Sequence, residues 1–445
     1  MTPSRSRSPR RPHVVPASLL AASAAAALAL TVPSPCQARQ PRPPARSVDW
    51  RPVENLAEGY RLKLREGIFD AESEAILKTA LGLLNGEDFR DALERHRKRL
   101  AVLLFGDTIP NEQVWDQAAM TGVKFLVAAA RNPAVDMAVR INAMLMAGEI
   151  RTKAERYPVE AATTLAEAAQ DADLPPAVRI AALAGLTRHL EAVRKSGPKE
   201  SVAAVTAAAG PALVSIATAG LEGGIAEEWL ASRALAALGL FTPALPPGAN
   251  GTAARLAVDG NRSLDLRVRA ARLLGTATKP ASDFNAQVVA NAITPLAIAA
   301  LRADESRIED RLLRQQLTAS PAAPAGPAPP PDSPLLGALE GQRTAWRLAT
   351  LADSLCSADG KSGLVVACGA SDTEAAAMKE RAKQLRDAAD KIAATPGAAA
   401  VRAALATLAP SAATPVQAVQ PEVPVVPTTP VEESPFASPS AAPRR

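Results

Sequence analysis

The sequence predicts an all-α protein in which two-helix units stack into a solenoid, followed by a small helical bundle and a proline-rich tail. Three observations predict it. Alanine dominates the 445 residues, aromatics are 3%, and β-branched runs are short. Alanine costs least in a helix and lets neighbouring helices approach closely. A pattern also recurs: AVRINAMLMAGEI (Ala138 to Ile150), PAVRIAALAGLTRHL (Pro176 to Leu190), WLASRALAALGL (Trp229 to Leu240) and LRVRAARLLG (Leu266 to Gly275). Each copy opens a helix with an arginine, Arg140, Arg179, Arg233 and Arg269, at separations of 39, 54 and 36 residues. Those steps are within or near the period of two-helix repeats. Finally, breakers such as Asn132-Pro133 and Pro175-Pro176 punctuate the chain at helix length.

Residues 1–38 read as a bacterial-type export signal, with a basic start, an apolar run from Ala17 to Val32 and a small-residue exit at Cys36-Gln37-Ala38. Cleavage is expected after Ala38. The 16-residue run is shorter than the roughly 20 residues that span a bilayer, and no other stretch is expected to cross one. A lipoprotein acceptor at Cys36 fits poorly after Pro33-Ser34-Pro35. A twin-arginine signal at Arg10-Arg11 fits poorly before Pro12-His13. An uncleaved anchor is a third alternative.

Residues 39–52 form a flexible leader, and 53–318 the helical array. From Val53 to Gly106 the sequence reads as a first hairpin broken at Leu84-Asn85-Gly86, with Phe89, Leu93, Leu100 and Leu104 on one stripe. Residues 111–150 are the clearest unit: a helix up to Asn132-Pro133, then the signature helix. Asp136 stands four residues before Arg140, a spacing that pairs two side chains on one helix face. Residues 159–194 repeat this. In 199–240, Gly210-Pro211 and Gly223-Gly224 indicate an inserted or broken helix. Residues 251–277 form a shorter unit, and 285–317 a charged final pair that caps the array.

These units resemble HEAT or armadillo-type repeats, whose second helix commonly opens with Asp, several residues, Val-Arg and a run of Ala, Leu and Gly. Val139-Arg140, Val178-Arg179 and Val268-Arg269 match, while Ser232-Arg233 departs, with no valine and only Glu227 in the acidic place. Asp173 lies at the family's six-residue offset, Asp136 and Asp265 at four. The resemblance covers about residues 111–280. It implies a right-handed solenoid in which Asp136, Arg140, Asp173, Arg179, Arg233, Asp265 and Arg269 form a structural ladder between neighbouring repeats, rather than binding ligand. It also implies a concave face that holds proteins or peptides.

Residues 319–334 are a proline–alanine linker. In 335–408, helices are expected over Leu335–Ser357, Asp372–Ala394 and Ala398–Leu408, with Ser371 and Glu374 at capping-box spacing. This region is either a second domain or a hairpin docked on the array's end. Once Cys36 is removed, Cys356 and Cys368 remain, and a disulfide between them would close a loop with little else to order it; two buried thiols are the other possibility. Residues 409–445 are a disordered tail with Pro421, Pro424, Pro427 and Pro430 at intervals of three, an extended spacer or a polyproline docking edge.

Catalytic signatures are missing from the sequence. His96 and His189 lie in separate helices away from metal-ligand partners and are expected at the surface or boundary. Gly360-Lys361-Ser362 lacks the glycine that a phosphate loop needs, since position 355 is Leu355. Of the net charge of +5, the first 51 residues carry +7, leaving −2 beyond, so no broad nucleic-acid footprint is expected. Trp50, Trp115, Trp229 and Trp346 are scattered, with Trp115 and Trp229 read as core. The expectation is a non-catalytic scaffold of the cell envelope, free of cofactor and metal. It would bind a protein or peptide rather than nucleic acid, have no membrane span in the mature chain, and be monomeric without its partner. An enzyme on a helical-repeat scaffold and a self-associating structural protein are the alternatives.

Overall fold

The computed structural model describes residues 49–86, 92–106, 111–151, 157–196, 199–241, 245–318 and 334–409. The expected export signal, most of the leader, Phe89, the proline–alanine linker and the tail beyond residue 409 lie outside them. The described residues are all-helical, with no strand among them.

The helices are α1 (Arg51–Arg65), α2 (Ala71–Gly82), α3 (Leu93–Phe105), α4 (Glu112–Arg131), α5 (Met137–Ala147), α6 (Val159–Gln170), α7 (Pro176–Ser196) and α8 (Lys199–Ala219). They continue with α9 (Ile225–Leu238), α10 (Ala249–Val258), α11 (Leu264–Leu274), α12 (Ala286–Thr318), α13 (Pro334–Leu355), the single turn α14 (Leu364–Ala367), α15 (Asp372–Ala394) and α16 (Ala398–Leu408). Local chemistry sets several starts. Asn111 Oδ1 accepts from Gln113 and Val114 N–H at 3.0 and 3.2 Å, and Asp70 Oδ1 from Ser73 N–H at 2.8 Å. Ser371 and Glu374 form the expected capping box.

Contacts run along two ranks. One passes through α2, α4, α6, α8, α10 and α12; the other through α3, α5, α7, α9, α11 and α13. Cross-links join α4 to α5, α6 to α7, α8 to α9, α10 to α11 and α12 to α13. Each helix therefore buries one face on its pair-mate and its flanks on the neighbours, as Trp115, Met144, Leu183, Leu213, Leu235 and Leu256 illustrate. α13 packs on both α11 and α12, α15 on α13, and α16 on α12.

The guanidinium ladder lies inside pairs. Arg140 Nε donates to Ala130 O at 2.7 Å, Arg179 Nε to Ala169 O at 2.9 Å and Arg267 Nε to Ala257 O at 3.2 Å. Each arginine is the fourth residue of its helix and each acceptor is the last but one residue of the preceding helix. A helix C-terminus offers carbonyls without intrahelical donors, and a cation there also opposes the helix dipole.

Several expectations need correcting. Arg267, not Arg269, is the ladder member of α11, because helix register counts from Leu264 and overrides the local Val-Arg match. Asp136 does not pair with Arg140; it caps α5, accepting from Ala138 N–H at 2.9 Å. One link between neighbouring pairs is Arg131 with Asp171, 3.4 Å apart.

α8 runs unbroken through Gly210-Pro211. That glycine makes room for the next unit, since a Cβ there would meet Pro246 Cγ at 2.7 Å. Residues 286–318 are one helix containing Pro295, not a pair. Among its described residues the first segment holds three helices rather than a hairpin, with a 3-10 turn at Leu83–Asn85, and α1 already starts at Arg51. Two stretches beyond the leader, Val202–Ala219 and Ala286–Asp310, are long and apolar enough to cross a membrane by length and composition. In the fold both are packed among neighbouring helices, where Leu213, Ile216, Ile293 and Leu301 are buried.

Cys356 and Cys368 are free thiols, so the expected disulfide is not formed. The loop between them is ordered by other means. Asp359 Oδ1 accepts from Ser357 Oγ at 2.7 Å and from Lys361 N–H at 3.1 Å, which makes Gly360-Lys361-Ser362 part of a tight turn. Gly363 N–H donates to Ala277 O at 3.0 Å. Gly363 has φ +127°, and a Cβ there would meet Leu355 O at 2.6 Å, so only glycine closes the loop without strain. Burial, with Glu374 adding, raises the Cys368 thiol to about 11.

Candidate binding face

Three neighbouring helices of the second rank, α9, α11 and α13, carry the clearest unabsorbed chemistry. On α9 the core side takes Leu230, Ala231, Ala234, Leu235 and Leu238. Helical geometry then turns Ile225, Trp229 and Arg233, spaced i, i+4, i+8, away from that core. Ile225 is 83% exposed and Trp229 39%. Trp229, expected in the core, is thus a surface residue; Trp115 is buried. On α11, burial of Leu266, Val268, Ala270, Ala271, Leu273 and Leu274 leaves Arg269 and Arg272 facing outward. On α13, Leu348, Leu351, Ala352 and Leu355 are buried while Trp346 stays half-buried.

These side chains meet in pairs. The Arg233 guanidinium carbon lies 5.8 Å from the Trp229 ring centre, and that of Arg269 lies 5.3 Å from Trp346. Both are within cation–π reach. Burial lowers the pKa of Arg233. For Arg269 burial is again the main cause, with the nearby Arg233 charge adding and Asp265 opposing. The two guanidiniums are therefore partly desolvated, stacked and close enough to repel.

Asp265, the carboxylate that acts on Arg269, is committed elsewhere. Its Oδ1 accepts from Arg347 Nε at 2.9 Å and Nη2 at 2.7 Å, and its Oδ2 pairs with Arg343. Arg347, 1% exposed, also donates through Nη1 to both oxygens of Asp304 at 2.9 Å. Thr344 Oγ1 adds a 2.7 Å bond to Asp304. This buried network fastens α13 to α11 and α12. Burial would raise the Asp265 carboxyl, but the Arg347 and Arg343 charges outweigh it and hold it below the usual range.

A second interhelical cluster lies further up the same rank. Arg97 Nη1 of α3 donates to Asn142 Oδ1 of α5 at 2.9 Å, and its Nε pairs with Glu149 at 3.0 Å. Arg188 of α7 reaches Glu149 at 3.4 Å. Here each charge meets an opposite one across helices, a structural weld.

Of the seven expected ladder residues, Arg140 and Arg179 hold helix ends and Asp136 caps a helix. Asp173 sits in the turn before α7, its N–H donated to Asp171 Oδ1 at 3.1 Å. Asp265 anchors α13. Arg233 and Arg269 come together on the outward patch. The histidines are buried, contrary to expectation. His189 Nε2 lies 2.7 Å from Pro158 O and its ring packs edge-on to Tyr157 at 4.4 Å. His96 packs on Trp50 at 5.3 Å. Among the described residues no group of three His, Cys, Asp or Glu side chains is placed to hold a metal ion.

What the patch offers chemically is recognition. The guanidiniums bring positive charge, and the indoles present flat apolar faces. Sequence held part of this signal, in the Trp229–Arg233 spacing; Trp346, which completes it, comes from a distant helix. No family model, curated protein or solved structure matches the chain.

Proposed function

We propose that this chain is a non-catalytic interaction scaffold of the cell envelope: a right-handed α-solenoid of HEAT-like pairs that holds a protein or peptide partner on the face formed by its second helices. The observation that supports this best is the set of exposed Ile225 and Trp229 with half-buried Arg233, Arg269 and Trp346 across three adjacent helices. Interface cores favour Trp and Arg anchors over other surface residues. Export rests on the sequence of residues 1–38, and the monomeric state on an array closed at one end by α13 to α16.

The test is site-specific photo-crosslinking in native envelope extract, with the photoreactive residue at position 229 and a control at Gly59 on α1. A near-stoichiometric adduct at 229 alone is expected. Crosslinks only between copies of the chain would favour a self-associating structural protein, and equal labelling at both positions would defeat the reading.

A further inference from the structure

We propose that the partner's line of contact is the N-terminal edge of the second rank, across α5, α7 and α9. Its occupant is an extended segment of a partner protein in which lysine or arginine alternates with apolar residues. This rests on the scaffold reading above and names the partner's chemistry.

The edge is apolar by register. α5, α7 and α9 open on Met137, Pro176 and Ile225, and their fifth residues are Ile141, Ile180 and Trp229. First and fifth residues share one face of a helix. Met137 is 43% exposed, Pro176, Ile225 and Trp229 are exposed, and Ile141 and Ile180 are half-buried. Arg140 and Arg179 tie the starts of α5 and α7 to the ends of α4 and α6, and Arg262 joins the turn before α11 to Glu228 of α9. These starts therefore share one end of the array, and α5 packs on α7 and α7 on α9. Three apolar pairs line up as one strip. It stops at α11, where Val268 is buried.

Charge complementarity selects the occupant. Asp136, Asp173 and Glu222 are exposed in the turns that lead into these helices, and Glu227 is half-buried on α9. Among the described residues none of the four has an ion-pair partner. The cations of this end are committed: Arg131 to Asp171, Arg262 to Glu228, and Arg140 and Arg179 to carbonyls. Asp136 caps α5. Asp173 and Glu222 stand three residues ahead of their helices, so capping does not account for them. A strip of apolar side chains bordered by carboxylates suits a segment that brings both apolar contact and positive charge. Nucleic acid and anionic lipid surfaces carry the edge's own sign and are repelled.

Size selects an extended chain. Two steps between packed helices cover about 16–20 Å, and four residues of helix rise about 6 Å. A strip so narrow is slimmer than the roughly 10 Å of a helix with its side chains. One extended strand of about six residues fills it.

The experiment titrates the full chain with a twelve-residue peptide repeating Lys-Leu-Pro, following tryptophan emission and calorimetry. Parallel titrations use peptides repeating Glu-Leu-Pro and Lys-Ser-Pro. Saturable micromolar binding is expected for Lys-Leu-Pro, at least tenfold weaker for either control and weakened by added salt. Ile225→Ser, at a position 83% exposed, should lose about tenfold without loss of helix by circular dichroism. Asp173→Asn/Glu222→Gln, at exposed positions, should lose about as much by an independent route. Equal binding of the Lys and Glu peptides, or of Lys-Leu-Pro and Lys-Ser-Pro, overturns the proposal. So does unchanged affinity in both variants. A dimer of the chain alone in sedimentation that Ile225→Ser dissolves would put a second copy on the edge and also overturn it. If Lys-Leu-Pro fails while position 229 still crosslinks a partner, the basic class is wrong and the scaffold stands. If both fail, both fall.

Discussion

Arg262 stands in for an arginine that Glu228 displaces. Glu228 is the fourth residue of α9, where α5, α7 and α11 have Arg140, Arg179 and Arg267. Arg262, from the turn before α11, reaches back to lie 3.5 Å from Glu228 Oε1, and its Nη1 donates to Gly223 O at 2.8 Å just beyond the end of α8. Glu228 Oε2 in turn accepts from Ser263 N–H at 3.1 Å. At this one step the cation comes from the following unit, so two units share the contact.

Arg262→Ala should therefore cost more than a surface substitution. It leaves a mostly buried Glu228 with the Ser263 N–H but no cation, and takes the guanidinium donor from the Gly223 carbonyl, worth about 1–3 kcal/mol. Glu228→Ala/Arg262→Ala should cost less than the sum of the single changes, with a coupling of about 1 kcal/mol by urea denaturation. Strict additivity would mean that the pair is incidental.

The Arg347 network predicts a larger loss. Removing one partner of a buried ion pair strands the others, and Arg347→Ala should destabilise by about 3–5 kcal/mol. The loss should appear first as faster proteolysis and hydrogen exchange in α13, α15 and α16, which α13 fastens to the rest. Asp304→Asn should be milder because Thr344 and Arg347 can still bond the amide oxygen. Exchange that rises uniformly along the chain would contradict this anchoring role.

His189 predicts a pH dependence. Burial lowers its pKa from 6.5 to about 4, opposed by the Pro158 carbonyl. The folded form thus resists protonation that the unfolded chain accepts. Its contribution is full above about pH 6.5, falls as pH drops and is gone near pH 4, a span of roughly 3 kcal/mol. Burial also lowers His96, helped by Arg95 and Arg99, in the same direction. Asp265, held low, gives up its contribution only below about pH 4. Denaturation midpoints between pH 4.5 and 7 should rise with pH, and His189→Gln should flatten much of that slope. An unchanged slope would remove His189 as its source.

Much of the helix order was legible because it is local. Asn132-Pro133, Pro176, Ser371 and Glu374 act within a turn or two of the chain, and α15 and α16 fall where the sequence placed them. The arginine ladder was half legible. Val139-Arg140 and Val178-Arg179 happen to sit at the fourth helical position, whereas in α11 that position is Arg267 and the Val-Arg match lies two residues late. The 54-residue step had the same origin: helix starts at Met137, Pro176, Ile225 and Leu264 give 39, 49 and 39. The patch and its neighbourhood were not legible. Arg347 meets Asp265 and Asp304 across 82 and 43 residues, and no local pattern reports such a meeting.

Gly148 and Gly185 mark where α7 passes the end of α5 at backbone contact. A Cβ on Gly148 would lie 2.1 Å from Gly185 Cα, and one on Gly185 would lie 2.8 Å from Gly148 Cα. Backbone cannot yield as a flexible side chain does, so Gly148→Ala must push the two units apart, at a cost of about 1–3 kcal/mol. Gly185→Ala should cost less, since the approach is wider. Gly59, inside α1 with nothing within 4 Å of its added Cβ, supplies the contrast. Gly59→Ala should stabilise by about 0.5–1 kcal/mol through helix propensity alone. Thermal and urea denaturation of the three variants should rank them Gly59→Ala, Gly185→Ala, Gly148→Ala from most to least stable. Gly148→Ala as stable as the parent would mean that the units are not in contact here and would undo the packing of α5 on α7.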